Sequence, residues 1–353
     1  MYIRQILVAG LIAFSINSQP ARAELTVEDV WNDLSFYAAI FGGELSGDVS
    51  KSVAGLTVSN IRVGFQVNES NAAVLELGNL QIIGLDDGRV QLIYPEDQVV
   101  IVQDVGAETS ASSSIRIICR DHHVIATGRP GNVTYETKAE ELGFELQGDP
   151  RQDEEGNTVE TGLKFLSQGF VGTTQVNMQN GVELRHSASH DALSYYVSSQ
   201  QESDADISLL IAAKDATSSY TLSNPKESIE WSDFVSAFKE GLSLQFGFGF
   251  GPSTTEVTFE EPETEEIRFN MESRSGQVKY SMAKNGWGYS VSSQGITFSV
   301  PDVEDTVIPV AGTIEHLELD TLVPMFSSDS LQGLVLKGNV TNLTLADDFW
   351  DEF

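Results

Sequence analysis

The sequence predicts a mainly β fold, a large antiparallel meander of curved or sandwich-like sheets with two short amphipathic helices. Apolar and polar residues alternate with a period of two from Leu56 onward. Strand centres in the last third of this pattern lie about nine or ten residues apart, as in an antiparallel meander. Only two segments have the 3.6-residue period of a helix. These three observations place the chain in the mainly β class.

The first 23 residues have the three-part pattern of a secretory signal peptide. Arg4 is basic, Ile6 to Ile16 are apolar, and Ala21-Arg22-Ala23 ends the segment with small residues. The apolar run has about 11 residues, whereas a spanning helix needs about 20. We expect cleavage near Ala23 and a periplasmic or secreted mature chain. The alternative is an uncleaved anchor, which the polar residues 17–20 disfavour.

The first helix is predicted directly after this signal. Thr26 is a suitable N-cap, and apolar residues follow at helical spacing from Val27 to Phe41, before a pair of glycines. Farther on, Asp86-Asp87-Gly88 predicts a hairpin turn, because Asp-Gly tolerates positive φ. The denser apolar runs Val90–Ile93 and Val99–Val102 predict strands that are covered on both faces.

A second helix is predicted from Ile229 to Lys239, where Trp231 and three other apolar residues share one side. Strands follow it around residues 244–250, 267–271, 278–282, 287–291 and 296–300. We expect residues 24–353 to form a single elongated β-rich domain, with possible halves at 24–224 and 225–353. Periodicity alone leaves open whether the sheets form a sealed sandwich or a groove.

The candidate functional residues lie on two of these later strands and share an apolar character. We predict that they form one apolar face: Leu244, Phe246, Phe248, Phe250, Trp287, Tyr289 and Val291. The glycines between the phenylalanines resemble a phosphate loop only superficially, because no helix follows Gly247, Gly249 and Gly251. We expect them to leave room beneath aromatic rings.

The other chemistry-bearing residues predict no catalytic, cofactor or metal site. His186 and His190 would share one side of a helix, but their neighbours predict a strand, so we expect surface histidines about 13 Å apart. The same applies to His122 and His123. Cys119, the single cysteine, is predicted to be a buried small apolar residue.

The charge balance excludes one class of partner. The chain has 52 acidic and 20 basic residues, a formal net charge of -32. Such a field repels nucleic acid and anionic lipid headgroups. Calcium binding is the alternative use of so many carboxylates, but the nearest stretch, 149–157, lacks the spacing of a calcium loop. We therefore expect a solvated acidic surface.

Several segments resemble a family of exported alphaproteobacterial proteins, domain of unknown function 2125. They are "LTVEDVWNDLSFYAAIFGGELSG", "LTVSNIRVGF", "LELGNLQIIGLDDGRVQLIYPE", "GNVTYETKAEELGFEL", "SDFVSAFKEGLSLQFGFGF" and "GNVTNLTLADDFWDEF". The family has no established activity or catalytic residues. Its members continue beyond Phe353, so the resemblance implies a chain that is cut short there. Repeated strand phrases at 56–63 and 75–82 also resemble AsmA-like β-groove envelope proteins, which are implicated in lipid transport.

Three functions remain open at this point. The first is a non-enzymatic periplasmic protein that binds lipid or another apolar ligand in envelope maintenance. The second is a structural or protein-interaction module of the envelope with no small ligand. The third is an enzyme such as a hydrolase, which needs convergent polar groups in a pocket. An open apolar groove would favour the first function, and a sealed core would favour the second.

Overall fold

The computed structural model describes residues 25–66, 72–105, 112–147, 151–152, 158–201, 206–226, 229, 233–260, 266–300, 310–324 and 333–346. The predicted signal peptide, Trp231 and the chain end at Phe353 lie outside these residues. Strands make up most of the described chain, all of their pairings are antiparallel, and two short helices accompany them. The prediction of a mainly β fold is confirmed.

Helix α1 spans Val27–Ile40, as the spacing of its apolar residues predicts. Thr26 Oγ1 accepts a hydrogen bond from the Asp29 N–H at 3.1 Å, and the Asp29 carboxylate accepts one from the Thr26 N–H at 3.0 Å. This reciprocal capping satisfies donors that a helix start leaves unpaired. The chain leaves the helix through Gly42, whose φ of 77° favours glycine.

The part of the chain that the structure describes contains twenty strands and a second helix, α2 (Phe234–Lys239). The strands are β1 (Gly43–Lys51), β2 (Gly55–Gln66), β3 (Ala72–Leu77), β4 (Leu80–Gly84), β5 (Val90–Ile93), β6 (Asp97–Val105), β7 (Ser112–Arg120), β8 (His123–Arg129), β9 (Asn132–Gln147), β10 (Arg151–Gln152), β11 (Thr158–Asn177), β12 (Val182–Gln201), β13 (Asp206–Asn224), β14 (Ser243–Phe250), β15 (Ser253–Glu260), β16 (Ile267–Ser273), β17 (Ser275–Ala283), β18 (Gly286–Val300), β19 (Val310–Val323) and β20 (Val335–Leu345). They belong to one hydrogen-bonded sheet.

Long strands form the middle of this sheet, and shorter strands lie end to end beside them. β9, β11, β12 and β13 pair in that order. One half of β13 pairs with β14 and the other half with β15, so the sheet continues across residue 224. β14 then pairs with β17, β15 with β16, and both lead to β18, β19 and β20.

The main core lies between α1 and one face of the sheet. Val30 and Ile40 of α1 are almost fully buried against strand residues such as Val58, Ile82 and Leu184. From α2, Phe238 packs into the same cluster. Burial of aliphatic and aromatic side chains of this size stabilises the fold by about 1.5–3 kcal/mol each. The two helices therefore cover only the part of the face that lies nearest to them.

The hairpin prediction holds, the second helix is shorter than predicted, and the prediction for the dense apolar runs is wrong. The hairpin at 86–88 joins β4 to β5, with Gly88 at a φ of 78°. The second helix is shorter than predicted, because it begins only after Asp233, whose side chain accepts a hydrogen bond from the Ser236 N–H. The dense apolar runs are not covered on both faces, since Val99 is 63 % exposed and Ile93 is 37 % exposed. One face of β5 and β6 meets solvent.

The predicted strands at 287–291 and 296–300 are a single strand, β18. Gly295 lies between them with a φ of 59°, within an unbroken register to β19. A left-handed residue inside a strand disturbs the alternation of apolar and polar side chains. The sequence pattern therefore resembles two short strands where the structure has one long one.

Candidate functional site

A line of irregular residues, here called the crease, crosses the sheet from β9 to β20. An alternating strand buries residues two positions apart. At the crease the buried residues are instead three positions apart, which places two consecutive residues on the other face. The pairs are Ala139 and Leu142, Ser167 and Phe170, His190 and Leu193, and Ala213 and Ala216, on four neighbouring strands.

Backbone geometry explains how the strands cross this line. Left-handed residues lie in β11, β13, β18 and β20, namely Gly169, Asp215, Gly295 and Asn342, with φ between 49° and 60°. Between β13 and β18 the strands instead break at the same level, at 251–252 and at 274. The alternation restarts after the crease with apolar residues on the same side. The apolar face of the sheet is therefore continuous across it.

From β11 to β20, the face that continues from the helix-covered core has no charged side chain among those that the structure describes. Charged residues of these strands lie on the opposite face or in the crease. On the opposite face, Lys164 Nζ is 4.0 Å from Glu145 Oε1, and Arg268 Nε is 3.7 Å from Glu256 Oε1. The chain has 52 acidic and 20 basic residues, yet the described charged side chains of these strands all avoid this one face. We call this surface the charge-free face.

The helices cover only the beginning of the charge-free face. Under them, Leu184 and Leu222 are at most 1 % exposed. Beyond them, Phe246 is 45 % exposed and Trp287 is 42 % exposed, and at the far edge Leu336 is 65 % exposed. Soluble proteins rarely leave a contiguous apolar surface open unless it meets a ligand, a membrane or a partner. This open part is the candidate functional site.

All seven candidate residues lie on the charge-free face. Antiparallel partners point to the same side of a sheet. The register forms three rows across β14, β17 and β18: Leu244–Met282–Trp287, Phe246–Tyr280–Tyr289 and Phe248–Val278–Val291. Phe250 follows on the same side, with its ring centroid 5.7 Å from that of Phe248. The alternation of apolar and polar residues in the sequence predicts that these side chains share one face.

Buried polar groups lie where the face passes under α1. The Tyr37 and Tyr220 hydroxyl oxygens are 2.8 Å apart, and Tyr135 donates a hydrogen bond to Asp33 Oδ2. Burial raises the pKa of Asp33 to about 6, while the Tyr135 hydrogen bond lowers it. Among the described residues, Asp33 Oδ1 has no hydrogen-bond partner. Polar contacts therefore hold α1 to the sheet without a compensating cation at Asp33.

The prediction that His186 and His190 are surface residues is wrong. Both lie on the charge-free face of β12 and are 8 % and 6 % exposed. The His186 ring stacks on Tyr220 with centroids 4.9 Å apart, and Phe170 lies beside both histidines. Burial lowers the pKa of each imidazole to about 4, so both are neutral at pH 7. Sequence spacing places them on one side, but it does not show what covers that side.

The contacts of His190 do not resemble those of a catalytic histidine. Its Nδ1 is 2.7 Å from Ser167 Oγ, and its Nε2 is 3.0 Å from Ser218 Oγ. A catalytic serine and histidine need a third group that orients the imidazole and a nucleophile that reaches substrate. Here both ring nitrogens contact serines, and Ser167 is fully buried. The arrangement supplies hydrogen bonds rather than nucleophilic chemistry.

The glycines of β14 lie on the opposite face from its phenylalanines. A Cβ on Gly247 would be 2.8 Å from Ser219 Oγ, and one on Gly249 would be 2.9 Å from Thr217 Oγ1. These residues contribute to an open cavity of about 870 Å³, which is lined mainly by hydroxyl, amide and glycine residues. Gly251 follows at the turn to β15, so a strand rather than a helix comes next.

A small cavity of about 50 Å³ lies between α1 and the sheet, with Trp31, Leu34 and Cys119 in its wall. Cys119 is 4 % exposed, as predicted, and burial raises the pKa of its thiol to about 12. His122 is half-buried beside it, where its Nε2 accepts a hydrogen bond from the Tyr94 N–H. The surface prediction for this pair therefore holds for His123 and is wrong for His122. The cavity is too small for a ligand of lipid size.

The described residues offer no metal site, and no known protein matches the chain. Within the described ranges, no group of three or more His, Cys, Asp or Glu residues is close enough to hold a metal ion. No helix there is long and apolar enough to cross a membrane. Comparison with protein-family models, curated proteins and solved structures finds no match. The two family resemblances therefore stay predictions.

Proposed function

We propose that this chain is a non-enzymatic periplasmic protein that binds a lipid or another apolar ligand on its charge-free face. One observation carries the proposal: a face that spans ten strands, has no described charge and stays partly open beyond the helices. Burial of apolar surface is worth roughly 25 cal/mol per Å², so a hydrocarbon ligand would gain free energy by covering this surface. The predicted signal peptide supports the location.

A fluorescent hydrocarbon tests the proposal directly. Purified, delipidated protein is titrated into diphenylhexatriene, which is uncharged and fluoresces when it leaves water. We expect saturable binding to the wild-type chain. In Phe246→Asp, a charge lies in the middle of the face, so binding should weaken at least ten-fold. The penalty arises because an unpaired carboxylate would have to lose water when the probe covers it.

The matched control is Gln245→Asp, which adds the same charge one residue earlier on the opposite face. We expect it to bind the probe like the wild type, and circular dichroism should report strands in all three proteins. Equal loss in both variants, or no saturable binding to the wild type, would contradict the proposal. Mass spectrometry of an organic extract from protein purified from its native envelope should also find co-purified lipid.

The edge strand β20 favours a second candidate function, a protein-interaction module. Among the described residues β20 pairs only with β19, and ten of its eleven residues are exposed. Long exposed edges pair readily with another strand. In a pull-down from the periplasm, stoichiometric recovery of one envelope protein would support this function if the double variant Leu336→Lys and Val340→Lys abolishes it. Unchanged recovery with both lysines would contradict an interaction at this edge.

A further inference from the structure

Hydroxyl and imidazole groups form a polar belt on the charge-free face beside the crease. We define the belt as Ser167, His190, Ser218, Ser253 and Ser273. The imidazole of His190 lies between the hydroxyls of Ser167 and Ser218. On β15 and β16, Ser253 Oγ and Ser273 Oγ are 2.8 Å apart. The register connects the two groups, because Leu193 pairs with both Ser167 and Ala213, and Ala213 pairs with Ser253.

The belt separates two apolar areas of the same face. On one side, Phe248 and Tyr280 lie on β14 and β17, and on the other side Val257 and Phe269 pair across β15 and β16. β14 and β15 each have eight residues, which corresponds to about 26 Å of strand at about 3.3 Å per residue. Hydrocarbon chains could therefore extend along the strands in either direction from the belt.

The belt offers hydrogen bonds but no charge. The pKa of His190 is lowered to about 4 by burial, so its ring is neutral at pH 7. The described part of the face also has no Lys or Arg that could pair with a phosphate or carboxylate. An anion that loses water without a cationic partner pays several kcal/mol. Uncharged ester, carbonyl and hydroxyl groups instead find donors and acceptors in the serine hydroxyls.

We propose that the charge-free face takes an uncharged lipid of the diacylglycerol type. Its ester and hydroxyl groups contact the polar belt at Ser218 or at Ser253, which flank the crease from opposite sides, and its acyl chains follow the strands on the two sides of the crease. This assignment rests on the proposed function, and it narrows the ligand to lipids without a charged headgroup. Ser218 and Ser253 are only partly buried, so they are the belt hydroxyls that a ligand reaches.

Two lipids that differ only in the headgroup test this assignment. Bound diphenylhexatriene is displaced with 1,2-dioctanoylglycerol or with 1,2-dioctanoylphosphatidate, in about 0.5 M salt so that long-range repulsion from the acidic chain is screened. We expect the glycerol lipid to displace the probe at a concentration at least ten-fold lower. Equal displacement, stronger displacement by the phosphatidate, or no displacement by either lipid would overturn the assignment. Failure of diphenylhexatriene itself to bind would overturn the proposed function.

Paired variants test the belt itself. Ser218→Ala with Ser253→Ala should weaken dioctanoylglycerol binding about five-fold and leave diphenylhexatriene binding unchanged, because only the hydroxyl contacts are lost. The control is Ser219→Ala with Thr254→Ala, which removes hydroxyls from the neighbouring positions on the opposite face and should change neither affinity. Equal effects of the two pairs on dioctanoylglycerol, or no effect of the first pair, would contradict the assigned contacts.

Discussion

Among the described residues, Asp33 has the buried side-chain oxygen that lacks a hydrogen-bond partner. It is 4 % exposed, and among the described residues its carboxylate accepts one hydrogen bond, from the Tyr135 hydroxyl. Two tyrosines interact electrostatically with it, Tyr37 on its own helix and Tyr135 on β9. Burial holds the pKa of both tyrosines well above the usual value, and the charge of Asp33 also raises it. A protonated carboxyl suits this environment better than a carboxylate.

The pH dependence of stability follows from the raised pKa of Asp33. A raised folded-state pKa stabilises the protein below the unfolded value of 3.8, and this contribution disappears as the pH rises through about 6. About 1.4 kcal/mol of it should be lost between pH 5 and pH 8. Urea unfolding of the wild type should show this loss relative to Asp33→Asn, which has no carboxyl at residue 33.

The control for this comparison is Glu44→Gln on β1, which removes an exposed carboxyl near the end of the same helix. It should keep the pH dependence of the wild type. If Asp33→Asn has the same change in unfolding free energy between pH 5 and pH 8 as the wild type, the carboxyl of Asp33 is not buried as described. Hydrogen exchange in α1 at the two pH values would locate the effect.

Sequence patterns predict the burial of a single residue when its neighbours along the chain are apolar. They fail when the residues that cover it come from other strands. Cys119 lies in an apolar run, and it is buried as predicted. His186 lies among serines and alanines in a strand that reads as polar, so its burial is not visible in the sequence. It depends on Tyr220 and Phe170, which come from two other strands.

At the scale of elements, the crease is the feature that local patterns fail to predict. Alternation identifies β14, and capping and helical spacing identify α1, because both depend on neighbouring residues. The crease depends on a left-handed residue at the same level in several strands, which becomes apparent only when the strands are aligned. The interruption at Gly295 therefore resembles a loop between two strands.

Gly169 provides a test of the crease. Its φ is 60°, and an added Cβ would lie 2.1 Å from Asp191 Oδ2. The Asp191 side chain can move, but the left-handed backbone still costs an alanine roughly 1–2 kcal/mol. Urea unfolding of Gly169→Ala should therefore show a loss of at least about 1 kcal/mol.

Gly64→Ala on β2 is the matched control, since no atom of the described residues lies within 4 Å of its added Cβ. Alanine there should be neutral or should stabilise the protein by about 0.5 kcal/mol, because glycine loses more backbone entropy on folding. A Gly169→Ala protein as stable as Gly64→Ala would show that the left-handed conformation at residue 169 is not required.

At the scale of the whole molecule, the sheet separates charge from hydrocarbon. The acidic composition predicts a solvated surface, and the alternation predicts an apolar face with the seven candidate residues. Neither pattern predicts which strands are neighbours, because β13 with β15 and β14 with β17 pair across intervening chain. The position of α1, which covers one end of the face and leaves the other open, likewise comes only from tertiary packing.

The most direct test of the charge-free face is photo-crosslinking with a diacylglycerol that carries a diazirine in one acyl chain. After irradiation of the complex, peptide mass spectrometry identifies the modified residues. We expect them to cluster on the charge-free face of β13 to β18, at residues such as Phe248, Tyr280 and Tyr289. Adducts on the opposite face, for example at Gln245 and Lys279, or adducts no more frequent than with denatured protein, would contradict the account.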